Sequence, residues 1–210
     1  MLSRILFLGA PGAGKGTQAK KIAKSTTLVH LSSGDALRDE RKSGSDLGKE
    51  IGIKIDAGKY VSDKLIFAMM RKRIESAKNG GFVLDGIPRT VSQIEMLARI
   101  TSLNRVIVID ISRKESVRRL LNRLNCEKCG AIHSKLILGQ DAKTCPLCGG
   151  RLFQRDDELD RKVVEGRFDT YVLSTVPMID CYQGIGLISR VNGEQPIEKV
   201  FQDIMAILGA

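Results

Sequence analysis

The sequence has no tryptophan and few aromatic residues of any kind, since only 4% of its 210 residues are Phe, Tyr or Trp. Proteins that hold single-stranded nucleic acid stack bases on aromatic side chains, so this scarcity argues against a nucleic-acid-binding ATPase despite a net charge of +10. Long apolar runs are also missing, because the longest candidates, at residues 5–8 and 106–109, fall far short of the roughly 18 residues of a membrane helix. We therefore expect a soluble protein with no membrane or nucleic-acid partner, whose excess positive charge suits another anion.

Cysteines are few, and their odd number, five, does not suit a disulfide framework. Four of them form two Cys-x-x-Cys pairs, Cys126 with Cys129 and Cys145 with Cys148, separated by 15 residues. This spacing predicts a structural Zn²⁺, because protein would fill all four ligand positions; iron in the same cage or a disulfide is the alternative. The fifth, Cys181, lies in a helical stretch and is predicted to be a buried thiol. This cysteine usage favours a cytoplasmic protein.

Short β-rich runs alternate with longer segments of helical period, which is typical of a parallel sheet flanked by helices. The predicted strands cover residues 5–8, 28–31, 82–84, 106–110 and 187–191. The predicted helices cover residues 15–24, 35–42, 47–57, 63–77, 91–99, 116–124, 162–182 and 197–207. We therefore predict an α/β fold with a doubly wound, five-stranded parallel sheet, in which ligands bind at the carboxyl ends of the strands.

Two segments interrupt this alternation. Residues 32–60 add an extra helical stretch after the second strand, and residues 125–158 lack a helical period and carry the paired cysteines. The sequence thus predicts a core domain formed by 1–31, 61–124 and 159–210, with two insertions.

A glycine-rich loop, GAPGAGKGT from Gly9 to Thr17, follows the first predicted strand and precedes a helix. Glycines let the backbone turn its N–H groups toward a phosphate, the helix adds the positive end of its dipole, and Lys15 adds a cation. Gly16 stands where the general motif has Ser or Thr, and Thr17 follows it. The loop predicts a site for a nucleoside triphosphate; a glycine-rich turn without a ligand is the alternative.

Asp85 follows the apolar strand at 82–84, where a carboxylate in a P-loop protein often serves Mg²⁺ through water. Asp110 ends an equally good strand and competes for this role. Arg89 favours Asp85, because it places a guanidinium four residues beyond that carboxylate.

Together these segments resemble the adenylate kinases, in the form that carries a zinc-binding lid. The resemblance rests on the phosphate loop with Gly between Lys and Thr, and on LSSGDALR at 31–38, DAGKYV at 56–61, DGIPR at 85–89 with Gln93, and VNG at 191–193. It covers essentially the entire chain. It implies a monomeric enzyme that transfers a phosphoryl group reversibly from Mg·ATP to AMP, giving two ADP, in adenine nucleotide homeostasis. Residues 32–60 would then bind AMP, and residues 125–158 would form the lid.

The resemblance also implies which residues form each site. For ATP they are Gly12, Ala13, Gly14, Lys15, Gly16, Thr17, Arg119, Arg123, Ile132 and Gln195. For AMP they are Ser33, Arg38, Lys59, Tyr60, Val61, Gly86, Ile87, Pro88, Arg89, Gln93, Arg155 and Arg167. The catalytic residues among them are Lys15, Arg89, Arg123, Arg155 and Arg167.

The chain departs from the family pattern in places. Leu124 stands where a second arginine is common, Ile132 where an aromatic residue is common, and Ser33 where threonine is common. The acidic pair after Arg155 is either 156–157 or 157–158.

Two questions stay open at this point. A kinase of UMP or CMP is the alternative within the same class, against which Gln93 and the long lid argue. His133 either approaches the ATP ring or is a surface residue of the lid.

Overall fold

Five parallel strands form the central sheet, on which every other part of the molecule is placed. The structure is a computed structural model that describes residues 3–56 and 61–209. The strands of this sheet are β1 (Arg4–Leu8), β2 (Val29–Ser32), β3 (Phe82–Asp85), β4 (Arg105–Asp110) and β8 (Ile188–Asn192). They are ordered β2-β3-β1-β4-β8, and every neighbouring pair is parallel. The predicted doubly wound sheet is confirmed, and each predicted strand end agrees within one residue.

The helices connect these strands and cover both faces of the sheet. They are α1 (Lys15–Ser25), α2 (Ser33–Lys42), α3 (Asp46–Asp56), α4 (Asp63–Ala77), α5 (Val91–Ala98), α6 (Arg113–Leu121), α7 (Lys135–Leu138), α8 (Arg161–Ser174), α9 (Val176–Gly184) and α10 (Ile197–Leu208). Helices α4, α5 and α9 pack with Leu6 and Val106 on one face. Helices α1 and α10 pack with Ile5 and Ile107 on the other. Because both faces are covered, the inner strands are continuous apolar runs.

The predicted lid segment contains a second, three-stranded antiparallel sheet in the order β6-β5-β7. Its strands are β5 (Arg123–Cys126), β6 (Ile132–Ser134) and β7 (Leu152–Phe153). The predicted helix at 116–124 is therefore wrong at its end, since α6 stops at Leu121. Leu124 explains the change, because its buried side chain packs with Cys126, Cys145 and Leu152 in the small core of this sheet.

The long helix predicted at 162–182 is two helices, α8 and α9, that meet at Thr175. Pro177 lies in the first turn of α9, where a missing N–H costs no helical hydrogen bond. Cys181 on α9 is exposed rather than buried, contrary to the prediction.

None of the helices within 3–56 and 61–209 is both long enough and apolar enough to cross a lipid bilayer.

Candidate active site

A cleft of 1610 Å³ opens at the carboxyl ends of the central strands, where the fold predicts ligand binding. Its walls come from the phosphate loop, α2, the loop after β3, the lid sheet and the second half of α8. The predicted site residues that line it are Gly12, Ala13, Gly14, Lys15, Gly16, Thr17, Arg38, Asp85, Gly86, Pro88, Arg89, Arg119, Arg123, Ile132, Arg155, Arg167 and Gln195. Residues predicted for both substrates therefore face one continuous space.

Lys15 is a partly buried cation of the phosphate loop that lines the cleft. Its Nζ donates to the carbonyl oxygens of Gly9 at 2.7 Å and Ala10 at 2.9 Å. Burial lowers the pKa of Lys15 to about 8; Asp85 opposes this shift, while Arg89, Arg123 and Arg167 add to it. A bound polyanion would reverse these influences and favour the charged lysine.

Asp85 lies beside Lys15 at the carboxyl end of β3. A Cβ atom on Gly16 would be 3.1 Å from Asp85 Oδ2, so the glycine that replaces the usual Ser or Thr leaves room for this carboxylate. His30 Nε2 lies 3.6 Å from the same oxygen. Burial raises the pKa of Asp85, but His30 and Lys15 outweigh burial and hold the pKa below its usual value. Asp85 is thus an anion inside a cationic cleft.

Asp110, the competing carboxylate, is engaged elsewhere. Both of its carboxylate oxygens accept hydrogen bonds from Arg190 Nη1 at 3.0 Å, and its side chain is partly exposed. Of the two candidates, Asp85 is the one that lines the cleft, and its oxygens are the donor type that Mg²⁺ prefers.

The loop after β3 is held by hydrogen bonds to one carbonyl. Ser33 Oγ donates to Gly86 O at 2.8 Å, and Arg89 Nε donates to the same oxygen at 2.7 Å. Gly86 has φ +85°, and a Cβ atom there would lie 2.6 Å from Ser33 Oγ. These contacts bring together three of the residues predicted for AMP.

The remaining residues predicted for AMP have different surroundings. Arg38 pairs with Asp35 on α2, and both line the cleft. Val61, Ile87 and Gln93 are buried. Lys59 and Tyr60 lie outside the described residues.

Two predicted lid arginines share a buried acid. Glu158 is 0% exposed; Arg123 Nε donates to its Oε2 at 2.9 Å, and Arg167 Nη1 donates to its Oε1 at 3.1 Å. Arg167 Nη1 also donates to Asp157 at 2.7 Å. Of the two acidic pairs left open by the sequence, 157–158 is therefore the one that holds these arginines.

Arg155 is the third cation on this side. Its Nη2 donates to Asn125 Oδ1 at 3.1 Å. Burial, and then the charges of Arg123 and Arg38, lower the pKa of Arg155 to about 10. Cations from the lid and from α2 are thus close enough to repel one another.

The other end of the cleft lies between α6 and the loop after β8. Arg119 Nη2 donates to Gly193 O at 2.8 Å, and its Nε donates to Glu115 at 2.6 Å. Hydrogen bonds from Arg118 and Arg119 lower the pKa of Glu115 to about 2. Gln195 Nε2 donates to Asn192 O at 3.0 Å. Arg119 thereby ties α6 to the loop that carries Gln195, another residue predicted for ATP.

The four paired cysteines form one cluster in the lid, with all Sγ atoms within 4.8 Å of one another. Cys126 Sγ and Cys148 Sγ are 3.4 Å apart, and Cys129 Sγ and Cys145 Sγ are 3.8 Å apart. Zinc–sulfur bonds of about 2.3 Å in a tetrahedron require sulfur separations of about 3.8 Å, so this cluster fits Zn²⁺. All four ligands are protein atoms, which suits a structural rather than a catalytic metal.

His133 contacts this cluster, with Nε2 3.3 Å from Cys145 Sγ. It also lines the cleft and is half-buried rather than fully exposed, and its approach to the ATP ring stays a prediction.

Sequence reasoning missed three groups that hold the predicted residues in position. Asn125 contacts Arg155 from 30 residues away, Asp63 contacts Gln93 at the same separation, and Glu115 holds Arg119. No motif spans the first two pairs, so only the folded chain reveals them. The third has a local signal, since Glu115 and Arg119 are spaced i,i+4 on one helix.

The chain is similar to known proteins over nearly its full length. The family model for adenylate kinase matches residues 7–187. The chain is 38% identical to an adenylate kinase of Petrotoga mobilis, with 98% of this chain and 97% of that protein covered. It is 39% identical to an adenylate kinase of Clostridioides difficile, with 99% of each chain covered, and 37% identical to one of Archaeoglobus fulgidus, with 97% of each covered. The resemblance seen in the motifs is therefore confirmed over nearly the full length, and the chain belongs to the adenylate kinase family.

Proposed function

We propose that this chain transfers a phosphoryl group reversibly from Mg·ATP to AMP, giving two ADP, and so balances adenine nucleotide pools. The observation that carries the proposal is the set of cations that separate chain segments direct into one cleft: Lys15, Arg38, Arg89, Arg123, Arg155 and Arg167. Two nucleotides that meet end to end repel each other strongly, and such a set of cations offsets this repulsion.

The reaction requires that the two phosphate groups be held in line, and it does not require a general base. The attacking phosphate oxygen of AMP is already ionised near neutral pH, so no proton has to be removed from it. Arginine suits the work, because its planar guanidinium donates to two phosphate oxygens at once and keeps its charge. Lys15, Arg89, Arg123, Arg155 and Arg167 would hold the transferred group and its neighbours in line.

ATP would bind with its phosphates on Gly12 to Thr17 and its base between Ile132, Arg119 and the backbone near Gln195. Asp85 would hold Mg²⁺ through water. When bound, Mg²⁺ neutralises charge on the phosphates and fixes their geometry.

AMP would bind across the loop after β3. We propose that its site is formed by Ser33, Arg38, Val61, Gly86 to Arg89 and Gln93, together with Lys59 and Tyr60. Arg155 and Arg167 would then close on the phosphates from the lid side.

Water competes with AMP as the acceptor, so the site has to be covered during transfer. Residues of both insertions line the cleft, within 32–42 and 125–155, and we propose that segments 32–60 and 125–158 close over the bound nucleotides. Zn²⁺ on Cys126, Cys129, Cys145 and Cys148 would stabilise the lid sheet, whose own core is small. We further propose a monomeric, cytoplasmic enzyme, from the family resemblance and the cysteine usage.

The function is tested with purified protein, Mg·ATP and each nucleoside monophosphate in a coupled assay of ADP formation. AMP is expected to be the best acceptor. A preference for UMP or CMP would contradict the base assignment, and ATP hydrolysis stimulated by nucleic acid with no monophosphate turnover would contradict the kinase reaction itself.

Replacing Arg89 by Ala removes a guanidinium from the centre of the cleft. We expect kcat to fall by about 10²–10³-fold, the usual loss when one charge-stabilising donor is removed, with little change in melting temperature. Arg71→Ala is the matched control, because Arg71 is exposed on α4 and pairs only locally with Glu75. Equal losses for the two variants, measured by steady-state kinetics, would show that the position of the charge is unimportant.

The depressed pKa of Lys15 predicts proton uptake on ATP binding. At pH 9 most Lys15 side chains of the free protein are neutral, because the pKa is about 8. Bound triphosphate would raise this pKa, so binding would take up nearly one proton, and the apparent Kd for ATP would rise about fivefold between pH 8 and pH 9. Titration calorimetry in buffers of different ionisation enthalpy measures both quantities. Lys15→Arg, which keeps its charge, should show neither effect; the same uptake in that variant would assign the proton to another group.

Cys145→Ser removes one of the four proposed metal ligands. The variant should bind less Zn²⁺ and melt roughly 5–10 °C lower, because metal binding and lid folding are coupled. Cys181→Ser makes the same chemical change at an exposed cysteine outside the cluster and should leave both properties unchanged. Metal analysis and thermal unfolding with and without a chelator check this. Full stability of Cys145→Ser under chelation would remove the case for a structural metal.

A further inference from the structure

Asp63 has no role in the sites described so far, yet its carboxylate contacts the buried amide of Gln93. Gln93 Nε2 donates to Asp63 Oδ1 at 2.6 Å, and Gln93 Oε1 accepts from the backbone N–H of Arg89 at 2.7 Å. Gln93 is 1% exposed. Both ends of its amide are therefore engaged by groups of fixed polarity, an anionic acceptor on one side and a main-chain donor on the other.

These two contacts select one orientation of the amide. The oxygen and nitrogen of a glutamine side chain are nearly the same in size, so its two orientations differ mainly in hydrogen bonding. A half-turn would set Oε1 against the Asp63 carboxylate and Nε2 against the Arg89 N–H. Two attractive contacts would become two repulsive ones, one of them with a full charge.

The two partners are themselves held by helix N-termini. Asp63 is the first residue of α4, where the helix dipole favours a negative charge. Gln93 lies in the first turn of α5, and its backbone N–H donates to Thr90 Oγ1 at 3.4 Å. The amide is thus fixed between two helix starts that lie 30 residues apart in the sequence.

The orientation determines what the amide still offers. A primary amide has two N–H donors and an oxygen with two lone pairs. With one of each engaged, the amide keeps one donor and one lone pair for a further partner. This pair complements a base edge that carries an acceptor beside an amino donor, as adenine does at N1 and N6. Guanine and uracil present the opposite polarity on the corresponding edge, while cytosine presents the same polarity as adenine on a smaller ring.

We propose that Asp63 is a specificity-determining positioning residue that fixes the Gln93 amide, so that the monophosphate site accepts adenine and rejects guanine and uracil by hydrogen-bond polarity. The inference rests on the proposed function, in which Gln93 is one of the residues that bind AMP, and adds that its amide reads the base. Cytosine is then rejected by size alone, which ranks CMP above UMP and GMP among the poor acceptors.

The test compares Asp63→Ala and Asp63→Asn with the wild-type enzyme, using AMP, CMP, UMP and GMP as acceptors at saturating Mg·ATP. Loss of the carboxylate in Asp63→Ala should raise KM for AMP about tenfold, leave KM for ATP unchanged and reduce the preference for AMP over GMP about tenfold. Asp63→Asn keeps an acceptor oxygen, so it should retain most of the selectivity.

Glu75→Ala is the matched control, because Glu75 is likewise an acidic residue of α4 but pairs with Arg71 and does not line the cleft. It should leave base selectivity unchanged. Asp63→Ala with unchanged selectivity, or with KM for ATP and AMP raised equally, would reduce Asp63 to a structural role and overturn the inference. Wild-type turnover of UMP or GMP above that of CMP would overturn it as well. Absence of AMP turnover in the wild type would instead refute the proposed function.

Discussion

The gathering of cations around one cleft is the constraint on which the rest of this structure depends. Burial lowers the pKa of Lys15 to about 8, and the charges of Arg89, Arg123 and Arg167 add to this shift while Asp85 opposes it. Burial, and then the charges of Arg123 and Arg38, likewise lower the pKa of Arg155. Charged groups gathered in this way are costly unless anions are present, so the cleft is organised around ligands of high negative charge.

The doubly wound sheet makes this concentration of charge possible. Because β1 lies between β3 and β4, the loops that follow these strands open at the same edge. Segments distant in sequence thereby contribute cations to one space, while the apolar strands below are buried on both faces. Glycine at position 16 then leaves room for the Asp85 carboxylate, whose charge opposes the lowering of the Lys15 pKa.

Much of this arrangement could be predicted from the sequence, because it depends on local signals. The strands are short apolar runs, the phosphate loop is a contiguous motif, and the cysteine pairs have a characteristic spacing. Predictions failed where tertiary packing overrides the local sequence pattern. The helical periodicity of α6 continues through Leu124, but Leu124 packs in the core of the lid sheet, and the helix ends before it. The predicted burial of Cys181 was wrong for a related reason, because a position in a helix does not by itself show which face of that helix packs against the core.

Contacts between residues distant in sequence could not be predicted from local sequence patterns. Asn125 with Arg155 and Asp63 with Gln93 are pairings of ordinary polar residues, and nothing in composition or period marks them. The acidic pair 157–158 was visible as one of two options, yet the choice required the structure, because only the fold buries Glu158 between two arginines.

The acidic partners of the lid arginines do not consume their capacity to bind phosphate. A guanidinium has five N–H donors. Arg123 donates to Glu158 through Nε and Nη2, and Arg167 donates to Asp157 and Glu158 through Nη1. Among the described contacts, Nη1 of Arg123 and both Nε and Nη2 of Arg167 therefore keep N–H groups that can donate to a phosphate. Each carboxylate therefore fixes one edge of a planar group and orients the other edge. A long side chain loses conformational entropy when it binds a ligand. Because these arginines are already held by carboxylates, the entropy cost of binding a phosphate is smaller.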